Sequence, residues 1–167
     1  MLTPKLNSLA LRAAHLLRAR GETVALAEGS AGGLVSASLL SLAGASAYYL
    51  GGVVVYTAAA HRAFIAGAVD VPPGMRGATE AFAQYIAQSA QIRLGATWGV
   101  GEAGAAGPPN PYGDPAGHVW LAVTGPVNAT RHVLTGSDVR VDNMIAFAEA
   151  TLELFVDTLE QASTEQG

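Results

Sequence analysis

Three side chains able to do chemistry lie close to glycine-rich or β-branched stretches: Ser30 in "ALAEGSAGG", Tyr56 closing "GGVVVY", and His61 five residues later. A serine on a glycine turn can act as a nucleophile, with free turn amides stabilising an oxyanion. The same serine can simply cap the helix that follows. A nucleophile needs a base, and His61 is the histidine nearest the same strand ends; it can equally be a solvated residue of a short helix. Tyr56 either points its phenol into a cleft or packs against a helix. Glu102 ends "TWGVGE", where an acid can orient His61, bind a ligand hydroxyl or face water. Glu28, Gly29, Gly32 and Gly33 from the first turn, with Gly104 and Gly107 from a second, make up the candidate cradle. Amides at such turns favour anions, although the spacing fits neither the dinucleotide fingerprint nor the phosphate-binding loop.

Other chemistries are excluded by residue type. Cysteine is absent, which removes disulfides, thiolate nucleophiles and Cys-based zinc sites. His15, His61, His118 and His132 are not paired at metal-ligand spacing, so no metal site is expected. The net charge is −4 and the nine basic residues are scattered, which leaves no stripe for nucleic acid. No apolar run reaches membrane-spanning length, so no membrane partner and a cytoplasmic location are expected. The remaining partner class is a small molecule.

These residues need elements to position them. Thr3, Pro4 and Gly21 predict cap, first position and stop of an opening helix. "TVALA" (23–27) reads as a buried strand, Gly29 to Gly33 as a turn, and "GLVSASLLSL" as a helix ending near Gly44. "GGVVVYT" is the strongest strand pattern, read as a buried core strand, and "AAAHRAFIAG" is a short helix. A longer helix is predicted from Thr79 to Leu94, with Phe82, Ile86 and Ile92 as core candidates. "TWGVGE" is a strand; residues 103–117, dense in glycine and proline, are predicted to form no regular element. "HVWLAVT" and "ATRHVLT" flank a turn and predict a hairpin, and a closing helix spans Val141 to Leu159. Many of the apolar residues are alanine, which predicts close packing between elements. One domain over residues 1–160 is expected, with 161–167 as a frayed tail. The element order predicts an α/β fold of three layers, with a mixed, partly parallel sheet and ligands at the carboxyl ends of its strands.

Four blocks in this order carry a resemblance: "AEGSAGG", "GASAYYLGGVVVY", Ala78-Thr79-Glu80, and "AGAAGPPNPYGDPAGHVWLAV". Over nearly its full length the chain resembles the C-terminal domain of the CinA (competence/damage-inducible) family, of the nicotinamide-nucleotide amidase type. The resemblance implies hydrolysis of the carboxamide of nicotinamide mononucleotide or a related amide, without a cofactor, by a homo-oligomer. It also implies a chain standing alone, without the molybdopterin-binding-like domain of long family members. The family places a serine, a tyrosine and a lysine at positions occupied here by Gly29, Tyr56 and His61, and its cysteine at Ser30. Two functions follow from that departure. Either Ser30 acts one position late with His61 as base, or the chain is an inactive relative that binds a nucleotide or metabolite in the same cleft.

Overall fold

The computed structural model describes residues 2–165. Helix α1 (Pro4–Arg20) begins where the Thr3 side chain accepts from Leu6 N, and stops at Gly21, whose φ of 64° is left-handed. Strand β1 (Val24–Glu28) follows, then α2 (Leu34–Leu40), a 3₁₀ turn (Ala45–Ala47), β2 (Tyr49–Val54) and α3 (Ala58–Phe64). Helix α4 (Glu80–Leu94) is capped by Thr79, whose hydroxyl accepts from Phe82 N. Strand β3 (Trp98–Ala105), the hairpin β4 (His118–Thr124) and β5 (Ala129–Leu134), and α5 (Arg140–Glu165) complete the chain.

The sheet order is β2-β1-β3-β4-β5. β1 runs parallel to both β2 and β3, whereas β3–β4 and β4–β5 are antiparallel. This is the mixed α/β sheet expected. Its two faces bury different things. Leu26, Val100, Val119 and Leu121 pack into the core with α1 and α5, which supplies Phe147, Leu152 and Phe155. Ala25, Ala27, Ala103 and Ala122 face α4 through Ala83, Ile86, Ala87 and Ala90.

The α4 side shows why small residues dominate. A Cβ at Gly99 would lie 2.2 Å from Ala87 O, and one at Gly101 would lie 2.2 Å from Ala83 O. The helix backbone therefore rests directly on the strand, at a distance no larger residue permits.

Four expectations change in three dimensions. The β-branched "GGVVV" strand is an edge, not a buried centre: exposure alternates along β2, and Leu50 and Val54 are exposed. Strand β3 extends through Ala105, into the stretch read as irregular, because Gly104 lets β4 approach; a Cβ there would lie 2.4 Å from His118 O. Ile92 is exposed, while Tyr85, three residues after Phe82, is buried. The expected fraying from Gln161 gives way to helix through Glu165, with Ala162 buried and Arg20 donating to Ser163 Oγ; residues 166–167 lie outside the described residues. Among the described residues no helix is long and apolar enough to cross a membrane.

Candidate functional site

The parallel strands β1, β2 and β3 end together, and a cleft of about 360 Å³ opens at those ends. Gly29, Ser30, Tyr56, His61, Ala103 and Gly104 line it, with Met75 to Ala78, Phe82 and Tyr112 closing the outer side. Five of the ten site residues expected from the sequence line this wall, Gly29, Ser30, Tyr56, His61 and Gly104, whereas Glu28, Gly32, Gly33, Glu102 and Gly107 do not.

The two acids have a different task. Glu28 is buried, and its carboxylate accepts from Gly33 N (3.0 Å), Val35 N (3.0 Å), Ser36 N (2.8 Å) and Ser36 Oγ (2.5 Å). It satisfies the amides at the start of α2 and complements that end of the helix dipole. Glu102 neither orients His61 nor faces water. It is fully buried and accepts from Gly29 N (2.9 Å), Ala31 N (2.8 Å) and Ser30 Oγ (2.5 Å). Burial pushes its carboxyl up to about 7; the Ser30 hydroxyl and the Ala31 amide pull it down, the Glu28 carboxylate raises it, and the Gly29 amide lowers it.

These bonds decide where Ser30 points. Side chains alternate along a strand, so Glu28 and Glu102 share the sheet face of Leu26 and Val100, the α5 side. Ser30 is 4% exposed, and its hydroxyl is drawn towards that face by Glu102. His61 sits on the other face, against Phe82 and Tyr85 of α4, with ring centroids 6.1 and 5.5 Å away. Its Nε2 is 3.1 Å from the Tyr85 hydroxyl. Of the turn amides, Gly29 N and Ala31 N serve Glu102, Gly32 N serves Gly29 O and Gly33 N serves Glu28.

Gly29 occupies the position from which a side chain would enter the cleft. A Cβ there would meet Glu102 O at 3.1 Å, Ala103 Cα at 3.8 Å and Val55 O at 3.8 Å. Gly32 and Gly33 hold left-handed φ values of 68° and 95°, which shape the turn without touching the cleft. Tyr56 is 61% exposed, and its hydroxyl accepts from Arg140 Nη2 at 2.9 Å. Arg140 also donates to Gly107 O, tying the start of α5 to both strand-end loops.

Several residues of this site escaped the sequence reading. The outer wall is pinned by Arg76, which makes two bonds to Asp114 at 2.6 and 3.1 Å and lies over the Tyr112 ring. That pairing, with help from Asn110, lowers the Asp114 carboxyl to about 2. Ala78 has a φ of 55°, and its carbonyl is held by His118 Nε2 at 2.9 Å. His118 Nδ1 in turn meets His132 Nε2 at 2.7 Å, and burial, then His118, lowers the pKa of His132. Tyr85 was the one signalled locally, at helical spacing from Phe82 on one face of α4. A larger groove of about 480 Å³ between α4 and β5 carries only uncharged lining groups.

Residues 6–159 match the family described as CinA C-terminal domain. A "CinA-like protein" of Prochlorococcus marinus (strain MIT 9313) is 38% identical over 121 residues, covering 72% of this chain and 28% of that protein. One of Salinibacter ruber is 38% identical over 141 residues, covering 82% of this chain and 34% of that protein. The chain thus spans about a third of the length of these curated relatives. Among solved structures, the competence/damage inducible protein CihA from Agrobacterium tumefaciens superposes with a TM-score of 0.85 at 27% identity, over 96% of this chain and 98% of that one. The CinA superfamily protein KP700603 from Klebsiella pneumoniae 700603 gives a TM-score of 0.84 at 25% identity, over 93% and 98%. With the family matched across both core faces and the whole cleft, the chain belongs to the CinA C-terminal domain family.

Proposed function

We propose that the cleft binds a small anionic ligand carrying a flat ring, a pyridine nucleotide such as nicotinamide mononucleotide, without serine attack on its carboxamide. The observation that carries this reading is the commitment of the Ser30 hydroxyl to Glu102 at 2.5 Å, beside a glycine at position 29. Ligand chemistry follows from the lining. In a chain of net charge −4, the ionisable lining groups are Tyr56, His61, Arg76 and Tyr112, and no carboxylate is among them. Tyr56, Tyr112 and Phe82 offer ring faces for an aromatic base, and cationic and N–H groups suit a phosphate. Calorimetric titration with nicotinamide mononucleotide, run beside an ammonia-release assay, tests it: saturable binding without release is expected.

One observation favours a second reading, hydrolysis through Ser30. A hydroxyl 2.5 Å from a buried carboxylate has a base at hand. Ammonia release that disappears in Ser30→Ala would establish that reading and overturn the first.

A further inference from the structure

Tyr85 and His61 meet at the back of the cleft, and the direction of their hydrogen bond fixes what His61 offers a ligand. Tyr85 is 3% exposed, and its hydroxyl has one partner among the described residues, His61 Nε2 at 3.1 Å. Two arrangements satisfy that distance. If Nε2–H donates, the buried Tyr85 proton has no acceptor among the described residues, which leaves a buried donor unsatisfied. If Tyr85 donates, both groups are satisfied, and the neutral imidazole carries its own proton on Nδ1. The second arrangement wins. The flanking Phe82 and Tyr85 rings hold the imidazole in place, so Nε2 stays turned inward and Nδ1 is left for the cleft.

We infer that Tyr85 is a positioning residue that makes neutral His61 an Nδ1–H donor to a phosphate or carboxylate oxygen of the ligand. This rests on the anionic-ligand reading above and deepens it. A general base at the same place would need a lone pair on Nδ1, which the Tyr85 bond removes. The cleft therefore selects an acceptor group at this point, even where the imidazole is uncharged.

In an imidazolium both ring nitrogens are donors: Nε2–H turns to the Tyr85 oxygen, whose own proton then lacks an acceptor among the described residues, and Nδ1–H stays available to the ligand. The other titratable groups around it are Tyr56, Arg76 and Tyr112 on the lining, Asp114 paired with Arg76, Arg140 bonded to Tyr56, Arg62 on its own helix, and Glu102 behind the turn. Removing the Tyr85 hydroxyl frees the neutral ring to move its proton to Nε2, so only acid restores the Nδ1 donor.

The test measures Kd for nicotinamide mononucleotide with the protein and Tyr85→Phe, at about pH 5.5 and about pH 8.5. Comparing the two proteins at each pH cancels the titration of the ligand and of Glu102. The variant is expected to bind about 5- to 10-fold more weakly at the higher pH and within about 2-fold at the lower, the loss of one charge-assisted bond. An equal loss at both pH values would mean a packing role and overturn the inference. Nitrogen-15 spectra of His61 in the ligand-free protein give an independent readout. An Nδ1–H tautomer at the higher pH, shifting to Nε2–H in Tyr85→Phe, supports the assignment, and Nε2–H in the unaltered protein overturns it. Should the Nδ1–H signature be present without binding, the anionic-ligand reading falls and the tautomer assignment stands.

Discussion

Ser30 Oγ donates to Glu102 Oε1 at 2.5 Å, joining residues 72 apart in the chain. The bond commits the only hydroxyl of the glycine turn to a buried carboxylate behind the cleft wall. It also makes Glu102 the keystone of that turn, because the same carboxylate holds the amides on either side of Ser30. Four predictions about this architecture, besides the Tyr85 test, follow from the distances.

Stability depends on pH through Glu102 in an unusual direction. Its carboxyl, held at about 7 in the fold, binds its proton more tightly there than in the unfolded chain, at the ordinary 4.5. Between these values the native state holds more protons, so stability falls as pH rises through the window, by on the order of 3 kcal/mol. Urea unfolding from about pH 4.5 to about pH 7.5 should show this slope, and Glu102→Gln should flatten it. An unchanged slope in the variant would refute the assignment to Glu102.

Ser30→Ala removes a donor and leaves the two amide bonds to Glu102 in place. We expect a loss of about 1 kcal/mol of stability. Because the Ser30 hydroxyl lowers the Glu102 pKa, its removal should also steepen the pH slope. Affinity for nicotinamide mononucleotide should stay within about 2-fold, since the hydroxyl is committed to Glu102. A tenfold drop in calorimetric affinity would show that Ser30 touches the ligand.

Gly29→Ser puts a side chain where the cleft is open. Its Cβ would lie 3.1 Å from Glu102 O, so β3 must yield by a few tenths of an ångström. The cost should be about 1 kcal/mol, with ligand affinity reduced several-fold by the occupied space. No ammonia release is expected, because His61 presents an N–H rather than a lone pair. Measurable release from nicotinamide mononucleotide by this variant would contradict that protonation state.

Gly101→Ala tests the contact that seats α4. The added Cβ would lie 2.2 Å from Ala83 O and 3.0 Å from Ala87 Cβ, and the first of these is helix backbone that cannot rotate aside. We expect a loss of about 3 kcal/mol or more, seen as a large drop in melting temperature. Since α4 carries Phe82 and Tyr85, ligand binding should weaken with it. A variant as stable as the parent would mean that helix and strand are not in direct backbone contact.

Much of the fold was legible because its signals are local. Thr3 and Gly21 bracket α1, and Thr79 opens α4, through bonds to residues three or four positions away. The hairpin followed from two strand patterns around one turn. The "VVV" run failed as evidence of a central strand, because β-branching favours the extended backbone at an edge as much as in the middle. Gly104, read as a loop former, proved to be a strand residue whose missing side chain admits the neighbouring strand.

The candidate site divides in the same way. The sequence by itself determined which chemical groups stand near the strand ends: Ser30, Tyr56 and His61 beside a glycine turn, and no cysteine. Only the tertiary structure decided which way those groups face. The register of β1 against β3 sets Glu28 beside Glu102 and both on the α5 face, and a buried carboxylate there requires donors, which Ser30 and its neighbouring amides supply. Ser30 therefore faces inward and His61 turns to Tyr85, because each satisfies a buried polar group that no local pattern of residues reveals.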